Sequence, residues 1–185
     1  MYYLIRFIKY HMQRRKLAFV GRNVLLSKDI YFKNPKYIKI GNKCQIGPEC
    51  RIEAWDYYAG KKFNPQIEFG IDVRINSKCH IGAINKISIG NNVLIGSNVM
   101  IMDHSHGKNE YGEMKLHPSK RQLYSKGPVI IGCNCWLGEN VVVLPNVSIG
   151  DFSVIGANAV VTKDIPPFSV AVGNPAKVVK RIKHS

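Results

Sequence analysis

The sequence predicts an all-β fold, a parallel β-helix of six-residue repeats, from three observations. An aliphatic residue recurs every six positions at Ile131, Leu137, Val143, Ile149, Ile155 and Val161. The next residue is usually glycine, as at Gly132, Gly138, Gly150 and Gly156. Four positions after each aliphatic stands a small or slender residue: Cys135, Val141, Val147, Ser153 and Ala159. The same rhythm occurs earlier, at Ile40, Ile46 and Ile52, at Ile75, Ile81 and Ile87, and at Ile89, Ile95 and Ile101. A period of six is neither helical nor simple strand alternation. It suits one short strand and one tight turn per repeat, three repeats closing one turn of a prism whose stacked turns bury an aliphatic column. A sandwich with Gly-rich turns would not hold this register through six consecutive repeats. Gly and Asn in "IGNN", "IGSN", "IGCN" and "IGAN" tolerate the backbone angles such turns need.

The repeats run from about residue 38 to residue 165 and break twice. The first break, "AWDYYAGKKFNPQ" from Ala54 to Gln66, is aromatic and polar, a surface loop beside the coil. In it Trp55, Tyr57 and Tyr58 can stack on a sugar ring or simply cover the coil. The second, "DHSHGKNEYGEMKLHPSKRQLYSKGP", extrudes residues 103–128 between two regular coils. Long loops in a compact repeat are usually functional or disordered. Because this one opens with Asp103-His104-Ser105-His106 directly after a strand, a rigid strand end can hold an imidazole beside the loop. Imidazole titrates near ~6.5 and can accept a hydroxyl proton at neutral pH. His104 is the first candidate base and His106 the second. Asp103 and Glu139 are candidates to orient the ring, and Asp103, Trp55 and Tyr58 candidates to touch the acceptor.

Lys and Arg number 27 against 12 Asp and Glu, a net charge of +15. Such a surplus favours an anionic partner without choosing among nucleic acid, an acidic membrane surface and a phosphorylated ligand. No nucleic-acid motif is visible, and a basic surface alone is weak grounds for expecting one. Of the five cysteines, Cys44, Cys50, Cys79 and Cys135 fall on the small interior position. They read as reduced core residues rather than disulfides or a zinc site. No apolar run is long enough to span a bilayer, and the apolar start precedes its basic residues, the reverse of a secretory signal. The expected compartment is the cytoplasm or the inner face of its membrane. Residues 1–22 are read as a basic amphipathic N-terminal segment, with a helix over Met1–Phe19 and Met1, Leu4, Ile5, Ile8 and Met12 on one face. It can lie on a membrane or cap the first coil. The coil with its loop then fills residues 23–165. It ends at Asp164-Ile165-Pro166-Pro167, because proline cannot continue a strand ladder, and residues 166–185 form a C-terminal cap.

The repeats, the loop opening on Asp103-His104, and "TKDIPP" (162–167) followed by "GNPAK" (173–177) resemble the hexapeptide-repeat acyltransferase superfamily. Within it, the likeness is to the galactoside, maltose and lipopolysaccharide O-acetyltransferases. The resemblance implies a left-handed β-helix, a homotrimer, and transfer of acetyl from acetyl-CoA to a sugar hydroxyl in polysaccharide or lipopolysaccharide synthesis, with no metal. The acceptor would be a sugar or oligosaccharide, lipid-linked if the N-terminal helix touches the membrane, and not nucleic acid. The catalytic histidine of the family stands where such a loop leaves the coil, which the resemblance gives to His104 first and to His106 second. The terminal motif borders the coenzyme tunnel there, which puts Glu139, Ala157, Thr162, Lys163, Lys177 and Lys180 beside the coenzyme. Relatives often carry arginine where Lys177 and Lys180 stand; lysine keeps the charge but loses the bidentate fork. A solvated basic tail is the plainer account of those lysines. Trp136, in "CWLGEN", matches a tryptophan that packs near the site or the pantetheine arm, or marks a subunit contact. Two rivals share the coil: a γ-carbonic-anhydrase-like zinc enzyme using His80, His104 and His106, and a non-catalytic β-helix scaffold.

Overall fold

Aliphatic side chains every sixth residue can all leave water only if the chain turns three times per coil, and the fold follows from that need. The structure, a computed structural model, describes residues 14–27, 29–108 and 110–182. Short strands stack in parallel on three faces. The first face carries Phe19–Val20, Ile38–Ile40, Gln66–Phe69, Lys86–Ile89, Val129–Ile131 and Ser148–Ile149. The second carries Leu25–Leu26, Gln45–Ile46, Arg74–Ile75, Leu94–Ile95, Trp136–Leu137, Val154–Ile155, Ser169–Val172 and Lys177–Arg181. The third carries Tyr31–Lys33, Arg51–Ala54, His80–Ala83, Met100–Met102, Val142–Val143 and Val160–Val161. Chain order visits the faces in rotation, so each coil lies one strand spacing above the last. In-register columns such as Ile52, Ile81, Ile101 and Val143 follow. Every predicted aliphatic of the repeat is buried.

The corner residues divide the labour differently from the expectation. Asn92, Asn98, Asn134, Asn140, Asn146 and Asn158 take the left-handed conformation, with φ between 57° and 62°, which asparagine tolerates better than most residues. The repeat glycines serve close stacking instead. A Cβ at Gly90 would lie 2.8 Å from the backbone nitrogen of Cys133, and one at Gly138 2.7 Å from that of Ala157. The interior cysteines have a local reason as well. Their thiols donate to corner carbonyls of the next coil, Cys44 to Gly70 at 3.0 Å, Cys50 to Asn76 at 3.1 Å, Cys79 to Gly96 at 3.0 Å and Cys135 to Gly150 at 3.2 Å. Burial pushes the Cys44 and Cys135 thiols up, away from the thiolate form.

Both ends of the coil run further than expected. The helix predicted over Met1–Phe19 lies outside the described residues as far as residue 13. Residues 14–16 are helical, but Phe19–Val20 is already a strand paired with Ile38–Ile40, and Leu17 is buried in the core. Pairing to the coil wins over helix continuation there because it hides Leu17 and half-buries Val20. At the other end, Pro166 and Pro167 occupy a corner, where no ladder hydrogen bond is required of them. Ile165 bridges Ile149, and Ser169–Val172 then pairs in parallel with Val154–Ile155. The segment after "GNPAK" folds back as the antiparallel strand Lys177–Arg181 against Ser169–Val172, closing the second face.

Candidate active site

One edge of the prism carries both insertions and the residues that open them. The chain passes from the third face to the first at residues 54–66, at Ile84–Asn85, at residues 103–128 and at Thr162–Lys163. Both insertions therefore leave the same edge, one coil on either side of the plain corner at Ile84–Asn85. The first forms a hairpin of Tyr57–Tyr58 against Lys61–Lys62. The second pairs Ser105–His106 with Leu123–Tyr124 and carries a helical turn, Tyr111–Met114.

At this edge Asp103 is fully buried. Its Oδ1 accepts a hydrogen bond from the Ile84 N–H at 2.9 Å and its Oδ2 one from the Asn85 N–H at 2.8 Å. The same Oδ1 lies 2.9 Å from Nδ1 of His104, whose side chain is 6% exposed. A carboxylate only accepts, so the Nδ1 proton belongs to this bond, and in the neutral ring Nε2 is the nitrogen that keeps its lone pair. Nε2 makes no hydrogen bond within the described chain. A buried carboxylate fixed by two backbone amides thus selects the tautomer and aims the ring, the arrangement a general base needs. Of the roles the sequence leaves to Asp103, its burial and its contact with Nδ1 fit orienting the ring rather than touching an acceptor. Glu139 is exposed at the opposite edge of the third face and makes no hydrogen bond to His104.

His106 lies outside this pair. It is exposed and sits edge-on to Tyr58, with ring centroids 5.4 Å apart. Tyr58 in turn meets Trp55 edge-on at 5.8 Å and donates its hydroxyl to the Ser119 carbonyl at 2.7 Å. Of the two residues expected as acceptor contacts, Tyr58 ties the two insertions together across the intervening coil, and Trp55 packs against it within the first insertion. Lys33 covers the Trp55 ring with its Nζ 3.5 Å from the centroid.

A second cluster went unforeseen. Glu53 is 3% exposed and lies on the outer side of the third face, where Arg51 reaches it at 2.9 Å and His80 Nε2 at 3.0 Å. In register it stands beside Gly82, which stands beside Met102. A Cβ at Gly82 would come within 2.8 Å of the Met102 side chain and 3.6 Å of His104 Cε1, so this glycine leaves room for both. The only hint in the sequence is a charge directly between the core residues Ile52 and Ala54. His80, His104 and His106 are each held by a different partner, and among the described residues no three His, Cys, Asp or Glu side chains converge as a metal-ligand set.

Burial alone would raise the Glu53 carboxyl, but hydrogen bonds from His80 and Arg51, with their charges, hold it at about 2. Its folded value lies below the ordinary carboxylate value, so the unfolded chain takes up the proton first as pH falls. The stabilisation is complete above about pH 5 and disappears as pH drops towards 2. Melting curves across that range should show a steep acid decline in the wild-type protein. The decline should flatten in Glu53→Gln, which starts from a lower Tm at neutral pH.

The remaining candidates split between two edges. Thr162 and Lys163 are exposed where the chain leaves Val160–Val161, at the same edge as His104 and two strands further along. That is roughly 10 Å at ordinary strand spacing. Glu139 and Ala157 stack at the opposite edge, where a Cβ on Gly156 would touch Val172, the register partner of Lys177. Trp136 points outward from the second face, 52% exposed, in a row with Val154, Val170 and, across the final strand, Lys180. A single chain does not bring Trp136, Glu139, Ala157, Lys177 and Lys180 to His104.

Comparison with known proteins agrees with this architecture. Residues 128–163 match the family described as bacterial transferase hexapeptide (six repeats), and residues 86–103 the hexapeptide repeat of succinyl-transferase. WbbJ of Escherichia coli (strain K12), provisionally named a lipopolysaccharide biosynthesis O-acetyl transferase, is 37% identical over 158 residues. The match spans 83% of this chain and 76% of that protein. A solved maltose O-acetyltransferase from Clostridium difficile 630 superposes with a TM-score of 0.61 at 29% identity, over 95% of this chain and 75% of that one. AntD, an N-acyltransferase from Bacillus cereus solved with dTDP and coenzyme A, gives a TM-score of 0.75 at 20% identity, over 95% and 90%. The shared fold is the left-handed β-helix.

Proposed function

This chain belongs to the hexapeptide-repeat acyltransferase superfamily, and from that premise we propose that it transfers acetyl from acetyl-CoA to a hydroxyl of a saccharide. The observation that carries the reading is the Asp103–His104 pair at the mouth of the extruded loop. With Nδ1 occupied, His104 takes the proton of the acceptor hydroxyl at Nε2 as that oxygen bonds to the acetyl carbonyl carbon. As the carbon–sulfur bond breaks, the imidazolium returns the proton to the departing sulfur. Acetyl-CoA supplies the activated acyl group. The thiols of Cys44 and Cys135 are buried and donate to backbone carbonyls, which removes them as acyl carriers.

The split of candidates over two edges supports a site shared between copies. One copy would give its His104 edge, and its neighbour the edge carrying Glu139, Ala157 and Lys177. An outward apolar row on the second face, Leu94 at 41% exposure beside Trp136 and Val154, offers the surface for side-by-side packing in a trimer. The coenzyme's anionic phosphates fit the basic groups Lys163, Lys177 and Lys180. Thiol release from acetyl-CoA, followed against neutral and charged mono- and oligosaccharides and nucleotide sugars, tests the reading. An acceptor-dependent release with an O-acetylated product is expected. Failure to bind CoA or to release thiol with any acceptor would refute it.

A further inference from the structure

We propose that the cleft between the two insertions binds a phosphate group carried by the acceptor saccharide. This deepens the acetyl-transfer reading and takes its chemical consequence from it. The cleft is about 510 Å³ and lies over the plain corner at Ile84–Asn85, walled by the hairpin on one side and by Leu123–Ser125 on the other. Lys61 and Lys86 line it, with Asn64, Asn85, Tyr124 and Ser125 offering amide and hydroxyl groups, and no Asp or Glu contributes to the lining. Two ammonium groups amid neutral donors, with no carboxylate in the lining, make a site for an anion with several acceptor oxygens.

The two lysines differ in how far they are already engaged. Lys61 has no ion pair among the described residues and packs over Phe63 at 5.4 Å from its ring centroid. Lys86 makes a long ion pair with Glu68 Oε2 at 3.8 Å, while Lys39 holds Oε1 of that carboxylate at 2.9 Å, so Lys86 has only a loose partner to leave for an anion in the cleft. The cleft is also coupled to the catalytic pair. Its floor residues Ile84 and Asn85 donate the two amides that fix Asp103, and Asp103 fixes His104. A saccharide anchored by its phosphate at this corner is therefore held against the segment that positions the base. The walls belong to the insertions that Tyr58 ties together through Ser119 and His106.

The experiment is calorimetric titration of the full-length protein at low ionic strength with glucose 1-phosphate and with glucose. Glucose 1-phosphate should bind at least about tenfold more tightly than glucose. The Lys61→Ala, Lys86→Ala double variant should lose about tenfold or more of that affinity while keeping its melting temperature and its affinity for CoA, and Lys177→Ala should leave it unchanged. Three results would overturn the proposal: no binding by the wild-type protein at millimolar sugar phosphate, equal binding of the two sugars, or binding lost in Lys177→Ala but not in the double variant. The acetyl-transfer reading fails on different grounds, by absence of CoA binding or thiol release, which this titration does not touch.

Discussion

His104→Ala should lose about 10²–10⁴ in kcat, the usual contribution of a general base, with acetyl-CoA affinity unchanged. Thiol-release kinetics together with direct titration of the coenzyme separate the two effects. The loss should fall on turnover because Nε2 acts only as the hydroxyl proton leaves, whereas the ring's one hydrogen bond among the described residues runs to Asp103. His106→Ala provides the contrast. Its ring lies against Tyr58 rather than a carboxylate, so its removal should disturb the loop junction and leave most of the turnover. Near wild-type turnover in His104→Ala would remove the base from the mechanism.

Asp103→Asn carries the second large effect, and it should fall on both activity and stability. The carboxylate accepts three hydrogen bonds, from Ile84 N–H, Asn85 N–H and the imidazole. An amide has one oxygen to offer, and its NH2 group would face one of these donors. A buried donor left without a partner costs about 1–3 kcal/mol, so a lower Tm is expected. The ring would also lose the acceptor that holds its proton on Nδ1, and turnover should drop by about 10²-fold or more. A variant with unchanged Tm and rate would show that neither the corner nor the ring depends on this carboxylate.

The coil was legible because its signal is local and repeated. The aliphatics, the small interior residues and the four interior cysteines all fall where a six-residue period puts them. His104 was legible for a similar reason, since it follows the last core position, Ile101, before the register breaks. Asp103 was already a candidate to hold the ring, but what fixes Asp103 was not legible. Asp103 reaches Ile84 and Asn85, and Glu53 reaches His80, across one coil, and only the stacking of coils makes those residues neighbours. The common edge of the two insertions was equally hidden, because it depends on counting strands per turn rather than residues. Phe19 was misread because an amphipathic period describes the segment before it but not the pairing that captures it. Pro166 and Pro167 suggested a stop because the corner that excuses them from the ladder has no mark in the sequence.

A crystal structure of the protein with CoA tests most directly whether the Asp103-held imidazole is the base of an acetyl transfer. The account predicts the thiol sulfur at the third-to-first edge, within reach of His104 Nε2, with the phosphates among Lys163, Lys177 and Lys180 of the chains that frame the site. A coenzyme whose sulfur ends at another edge, away from every His104 in the assembly, would contradict it.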